Sequence, residues 1–137
     1  MSHQPLPIPK TILVVEDHDL NMKLLHDLLQ TRGYRVLQAG DGAEGLALAR
    51  RYRPDLILMD MRLPDISGLE VARWIKVESE LSGIPIIAVT AFAMNGDEEK
   101  ARKAGCDAYI TKPISIHDFL ATVERYVTRS AQRCPYE

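Results

Sequence analysis

Apolar positions follow two rhythms along this chain, and the rhythms alternate. Short, nearly unbroken runs stand at TILVV (11–15), YRVLQA (34–39), DLILM (55–59), IPIIAVT (84–90) and DAYIT (107–111). Their length and β-branched content fit strands, and the unbroken ones fit strands covered on both faces. Between them the period changes to that of a helix. In DLNMKLLHDLLQTRG (19–33) the spacing places Leu20, Leu24, Leu25, Leu28 and Leu29 on one helical face, with Gly33 as the stop. DGAEGLALARRYR (41–53) opens on Asp41 as N-cap and closes on Arg50, Arg51 and Arg53, which suit a helix C-terminus. SGLEVARWIKVESE (67–80) begins with a capping box, Ser67 and Glu70, and keeps Leu69, Ala72 and Ile75 at helical spacing. DEEKARKAG (97–105) is a short helix with acids first, bases last and Gly105 behind them. SIHDFLATVERYV (115–127) carries a second box, Ser115 and Asp118, with Phe119, Leu120, Val123 and Val127 on one face.

The pattern is (βα) repeated five times. Strands separated by helices of this length give a doubly wound α/β fold, a five-stranded parallel sheet with right-handed crossovers and helices on both faces. Residues 1–10 read as a flexible N-terminal tail, 11–128 as the domain and 129–137 as a flexible, frayed C-terminal tail. No repeat, low-complexity tract or interdomain linker interrupts the pattern.

Composition narrows the function without naming it. The chain has 137 residues, 46% hydrophobic and 26% charged, enough for one packed domain. A net charge of −2 supplies no basic excess for nucleic acid or an anionic membrane. The longest uncharged run, LSGIPIIAVTAFAMNG, is too short and broken to span a bilayer, and the first ten residues lack a signal peptide's apolar run. Cys106 and Cys134 have no metal or redox spacing, so a reduced, cytoplasmic protein is expected, with Cys134 open to adventitious oxidation in the tail. His3, His18, His26 and His117 show no metal-ligand spacing. Trp74 reads equally as an exposed anchor or a partly buried ring.

The chemistry collects at strand ends. Glu16 and Asp17 follow the first strand, Asp60 ends the third, Thr90 the fourth, and Thr111, Lys112 and Pro113 follow the fifth. Sites in open parallel sheets lie outside these carboxyl ends, where the strand order reverses. If strands one and three are neighbours, three carboxylates converge, repel one another and need a cation. Carboxylate oxygens completed by water suit Mg²⁺. Lys112 could stand opposite them as a point charge, and the Thr90 hydroxyl could donate to an incoming oxyanion.

The stretches VVED, LILMDMRLPDISG, AVTAFA and YITKPI together resemble the response-regulator receiver domain of bacterial two-component signalling, over roughly residues 11–127. The match draws on all five strand ends in the family's order, which makes it specific. Among members the similarity is to a single-domain regulator of cell division and polarity, and related stretches occur in receivers of hybrid histidine kinases. The resemblance implies strand order 2-1-3-4-5. It implies Asp60 as phosphoacceptor, with Mg²⁺ held by Glu16, Asp17, Asp60 and the backbone carbonyl of Arg62. It also implies Lys112 paired with Asp60 and then with the phosphoryl oxygens, Thr90 bonded to the phosphoryl group, and Tyr109 turning inward behind it. The Lys112–Pro113 bond is expected to be cis. The implied partners are a histidine kinase or histidine phosphotransfer protein and a downstream protein target, with no direct DNA binding and no membrane insertion.

Two rival classes stand beside this reading, the second of which shares the fold. A Mg²⁺-dependent phosphatase passing through an aspartyl phosphate uses D-x-D, the second Asp being its acid–base group. Here that position is Arg62, so at most slow self-dephosphorylation is expected and no catalytic residue is assigned. A flavodoxin-like FMN carrier is disfavoured because EDHD (16–19), not a hydroxyl- and glycine-rich phosphate loop, follows the first strand.

Overall fold

The computed structural model describes residues 8–91 and 96–132, with side chains described to Thr128. Five strands alternate with five helices: β1 (Thr11–Val15), α1 (Asp19–Thr31), β2 (Arg35–Ala39), α2 (Gly42–Tyr52), β3 (Leu56–Asp60), α3 (Gly68–Val77), β4 (Ile86–Thr90), α4 (Asp97–Lys103), β5 (Ala108–Thr111) and α5 (Ile116–Gln132). All pairings are parallel and the order is β2-β1-β3-β4-β5. The order reverses between β1 and β3, so the ends of these two strands lie side by side, Val15 opposite Met59.

The three inner strands are buried because each must present an apolar side chain to helices on either face. Leu13, Val15, Ile57, Met59, Ile86 and Ala88 pack with α2, α3 and α4. Their alternates Ile12, Val14, Leu56, Leu58, Ile87 and Val89 pack with α1 and α5. The edge strands β2 and β5 are only half buried, as their mixed sequences require. Gly33 and Gly105, at φ 82° and 104°, follow α1 and α4 where stops are expected.

Three expectations change. Of the five leucines assigned to one face of α1, Leu25 and Leu29 are buried and Leu28 partly so, whereas Leu20 and Leu24 are 80% and 44% exposed. At about 100° per residue they lie roughly 120–160° round the helix from the line of Leu25 and Leu29. Met22, not Leu20, completes the packed stripe. At α3, Ser67 does cap, accepting from the Leu69 amide, but the Glu70 carboxylate pairs with Arg73. The buried residues there are Val71, Ala72 and Ile75, with Leu69 at the margin. Finally, α5 continues to Gln132, into the expected tail. Thr128–Gln132 contains neither glycine nor proline, so nothing local stops the helix. Cys134 lies outside the described residues. Among those residues no helix is long and apolar enough to cross a membrane.

Candidate functional site

The neighbouring ends of β1 and β3 bring Glu16, Asp17 and Asp60 together, with one oxygen of each within 4.8 Å of the others. Glu16 and Asp60 are 3% and 7% exposed, while Asp17 faces solvent. Strand alternation explains the placement: Asp60 continues the face of Leu56 and Leu58, and Glu16 that of Ile12 and Val14. The packed sheet therefore fixes where both buried carboxylates point.

Lys112 reaches them from the end of β5. Its Nζ lies 2.6 Å from Glu16 Oε1 and 3.5 Å from Asp60 Oδ2. The expected Lys112–Asp60 pair is thus present, but the closer partner is Glu16, whose longer side chain reaches further toward the ammonium. The other Glu16 oxygen accepts from the His18 amide at 3.2 Å. Asp60 Oδ1 accepts from the Arg62 amide at 3.0 Å, which folds the chain after β3 back over the carboxylate. The Lys112–Pro113 peptide is cis, and the Lys112 amide donates to the Thr90 carbonyl at 2.8 Å.

Burial pushes the Asp60 carboxyl up, to about 6, against the lowering effect of the Arg62 amide. The Glu16 charge raises it further and Lys112 lowers it. One ammonium among three acids leaves the cluster short of positive charge. Closely spaced hard oxygen donors in that condition fit a divalent cation such as Mg²⁺.

Thr90 and Tyr109 sit on the other side of the sheet's end. Thr90 is buried and continues the face of Ile86 and Ala88. Tyr109 stands opposite Ala88 in the β4–β5 pairing. Both line a cavity of about 160 Å³ with Met61, Arg62, Leu69, Asp97 and Lys100. The Tyr109 hydroxyl is buried and has no hydrogen-bond partner among the described residues. Desolvation raises its pKa, and the Asp97 and Glu98 charges add to the shift. In this structure the hydroxyl is enclosed.

One residue of the site region had no role in the sequence reading. Asp65, in the turn after Asp60, accepts from the amides of Gly42 and Ala43 at the start of α2, at 2.8 and 2.9 Å. Its position in LPDIS reads as an ordinary turn acid, and nothing local signals a partner more than twenty residues away.

The fold and site together define a class. The model of the response regulator receiver domain matches residues 12–124. The chain belongs to that family. It is 55% identical over 120 residues to the polar-differentiation response regulator DivK of Brucella anthropi, covering 88% of this chain and 98% of that one. The DivK of Brucella ovis is 54% identical over 118 residues, covering 86% and 96%. Among solved structures, a CheY-like receiver protein of Methanospirillum hungatei superposes with a TM-score of 0.86 at 29% identity, covering 93% of this chain and all of that one. The receiver domain of a Pseudomonas aeruginosa sensor histidine kinase, with a magnesium ion coordinated in its active-site cleft, gives 0.82 at 36% identity, covering 88% and 99%.

Proposed function

We propose that Asp60 accepts a phosphoryl group from the phosphohistidine of a histidine kinase or histidine phosphotransfer protein, and that the modified chain signals by binding a downstream protein target. The observation that carries this reading is the 7% exposed Asp60 carboxylate, fixed at a strand end beside Glu16, Asp17 and the Lys112 ammonium. With its pKa at about 6, Asp60 is ionised at neutral pH and more basic than an ordinary aspartate. One of its oxygens forms the bond to phosphorus as the phosphorus–nitrogen bond breaks, and the electron pair stays on the imidazole.

Such a transfer depends on positioning and charge neutralisation more than on covalent machinery. Asp17, Asp60, the Arg62 carbonyl and Glu16 are the residues proposed to hold Mg²⁺, with Glu16 acting through water. When bound, the ion supplies positive charge to the phosphoryl oxygens. Lys112, now held by Glu16, is placed to turn to those oxygens, and the Thr90 hydroxyl to donate to another. Arg62 stands where a phosphatase needs its acid–base carboxylate, which favours slow loss of the phosphoryl group to water without turnover of outside substrates.

The high identity to DivK regulators favours a role in polar differentiation and cell division. We propose that it is exercised in the cytoplasm through protein partners, without direct contact to DNA or membrane. The test is intact-mass analysis after incubation with a small phosphodonor and Mg²⁺. Wild type is expected to gain one phosphoryl group and Asp60→Asn none, with the fold retained. Equal labelling of the variant would remove Asp60 from this role.

A further inference from the structure

We propose that Asp65 is a positioning residue for the Asp60 site: it clamps the β3–α3 loop to the N-terminus of α2 and so keeps the Arg62 backbone in register with the Asp60 carboxylate. The inference rests on the reading of Asp60 as acceptor and of the Arg62 carbonyl as metal ligand.

The first turn of a helix leaves amides without intrahelical partners. In α2 the side chain of the N-cap, Asp41, accepts from the Glu44 amide at 2.8 Å, and its carbonyl from the Gly45 amide at 3.0 Å. Glu44 Oε1 reaches back to the Gly40 amide, also at 2.8 Å. That is enough to start a helix, and water commonly satisfies the rest. Here the Gly42 and Ala43 amides are instead taken by the two oxygens of Asp65, one each. A two-pronged, charge-assisted contact between distant segments fixes orientation as well as distance. Asp65 is exposed, so solvent screens its contribution to stability. The geometric constraint is not screened in the same way.

The loop is held at its other end as well. A Cβ on Gly68 would collide with the Asp60 carbonyl oxygen, and the Gly68 amide donates to the Met61 carbonyl at 3.1 Å. The chain from Met61 to Gly68 is thus closed under Asp60, with Asp65 as its outward anchor. Gly42 shows that the approach to α2 is close. A Cβ there would lie 2.9 Å from Val71 and 3.3 Å from both Asp65 Oδ1 and Ile66. Between the two anchors sits Arg62, whose amide is 3.0 Å from Asp60 Oδ1. Loss of the outer anchor would let the Arg62 peptide swing, moving both the amide that orients Asp60 and the carbonyl proposed for the metal.

Asp65→Ala and Asp65→Asn test this, the second retaining one acceptor oxygen and serving alone should the first not fold. Two quantities are read: amide hydrogen exchange in metal-free protein, and Mg²⁺ affinity by titration. In the Ala variant the Arg62 amide is expected to exchange about tenfold faster. The Mg²⁺ dissociation constant should rise roughly tenfold, the lower range for losing outer-shell support. Asn should fall between, and the melting temperature should move little. If only Gly42 and Ala43 exchange faster while Arg62 and Mg²⁺ affinity match wild type, Asp65 is a helix cap alone and the proposal fails. If wild type itself neither binds Mg²⁺ saturably nor takes a phosphoryl group, the site reading fails, while Arg62 exchange still judges the clamp.

Discussion

Asp60 sits under opposed demands. A strand covered on both faces has to end on a carboxylate that remains chemically available, and burial drives its pKa from 3.8 to about 6. The sign of the consequence follows. The folded protein binds this proton more tightly than the unfolded chain does, so stability is lost as pH rises through that interval. The charged form costs the metal-free protein roughly 1–3 kcal/mol near neutral pH. Asp60→Asn removes that charge at nearly constant shape. Metal-free Asp60→Asn is therefore expected to melt above wild type near neutral pH and to converge with it at acid pH. Thermal melts across the range check this, and parallel curves at all pH values would contradict it. The carboxylates, Lys112 and Thr90 were legible in the sequence because each ends or follows a recognisable strand. That Lys112 bonds Glu16 more closely than Asp60 was not, since it depends on side-chain reach across three strand ends.

At the level of elements, period and punctuation read well while exact faces did not. All five strands and five helices were visible, because buried strands and amphipathic helices differ in the spacing of their apolar residues. In α1 the leucine-rich sequence supports two overlapping stripes, and only the packing against α5 and the sheet selects one. Leu25→Ala should then cost about 2–5 kcal/mol, as for other buried leucines. Leu24→Ala should change stability by about 0.5 kcal/mol or less. Urea titrations of the two variants separate them, and equal losses would restore the single broad face. Long-range polar contacts were equally invisible. Lys76 of α3 bonds the Ile84 carbonyl at 2.8 Å and Asp107 at 3.2 Å, joining the approaches to β4 and β5. In sequence it is one more basic residue near a helix end.

Across the whole molecule, the sheet divides two apolar layers and the site lies where both reach its carboxyl edge. Asp60 and Glu16 continue the α1–α5 face, whereas Thr90 and Tyr109 belong to the face of α2, α3 and α4. A phosphoryl group on Asp60 can be sensed on the second face only through a group at the seam, and the Thr90 hydroxyl ends the adjoining strand. Behind it, the Tyr109 hydroxyl is enclosed without a partner among the described residues, beside a cavity of about 160 Å³. A shift of Thr90 toward a phosphoryl oxygen would open room for the Tyr109 ring to move. This is the shape of a two-state element biased by local chemistry. Tyr109→Phe removes the hydroxyl and keeps the ring, and should change the stability of the unmodified protein by about 1 kcal/mol or less. Thr90→Ala is expected to break the coupling between the two faces. Loading wild type with beryllofluoride and Mg²⁺ should shift the Tyr109 ring resonances strongly, and loading Thr90→Ala should shift them little although Asp60 is occupied in both. Ring shifts of the same size in both proteins would show that Asp60 reaches Tyr109 by another route, leaving Thr90 a packing residue at a strand end.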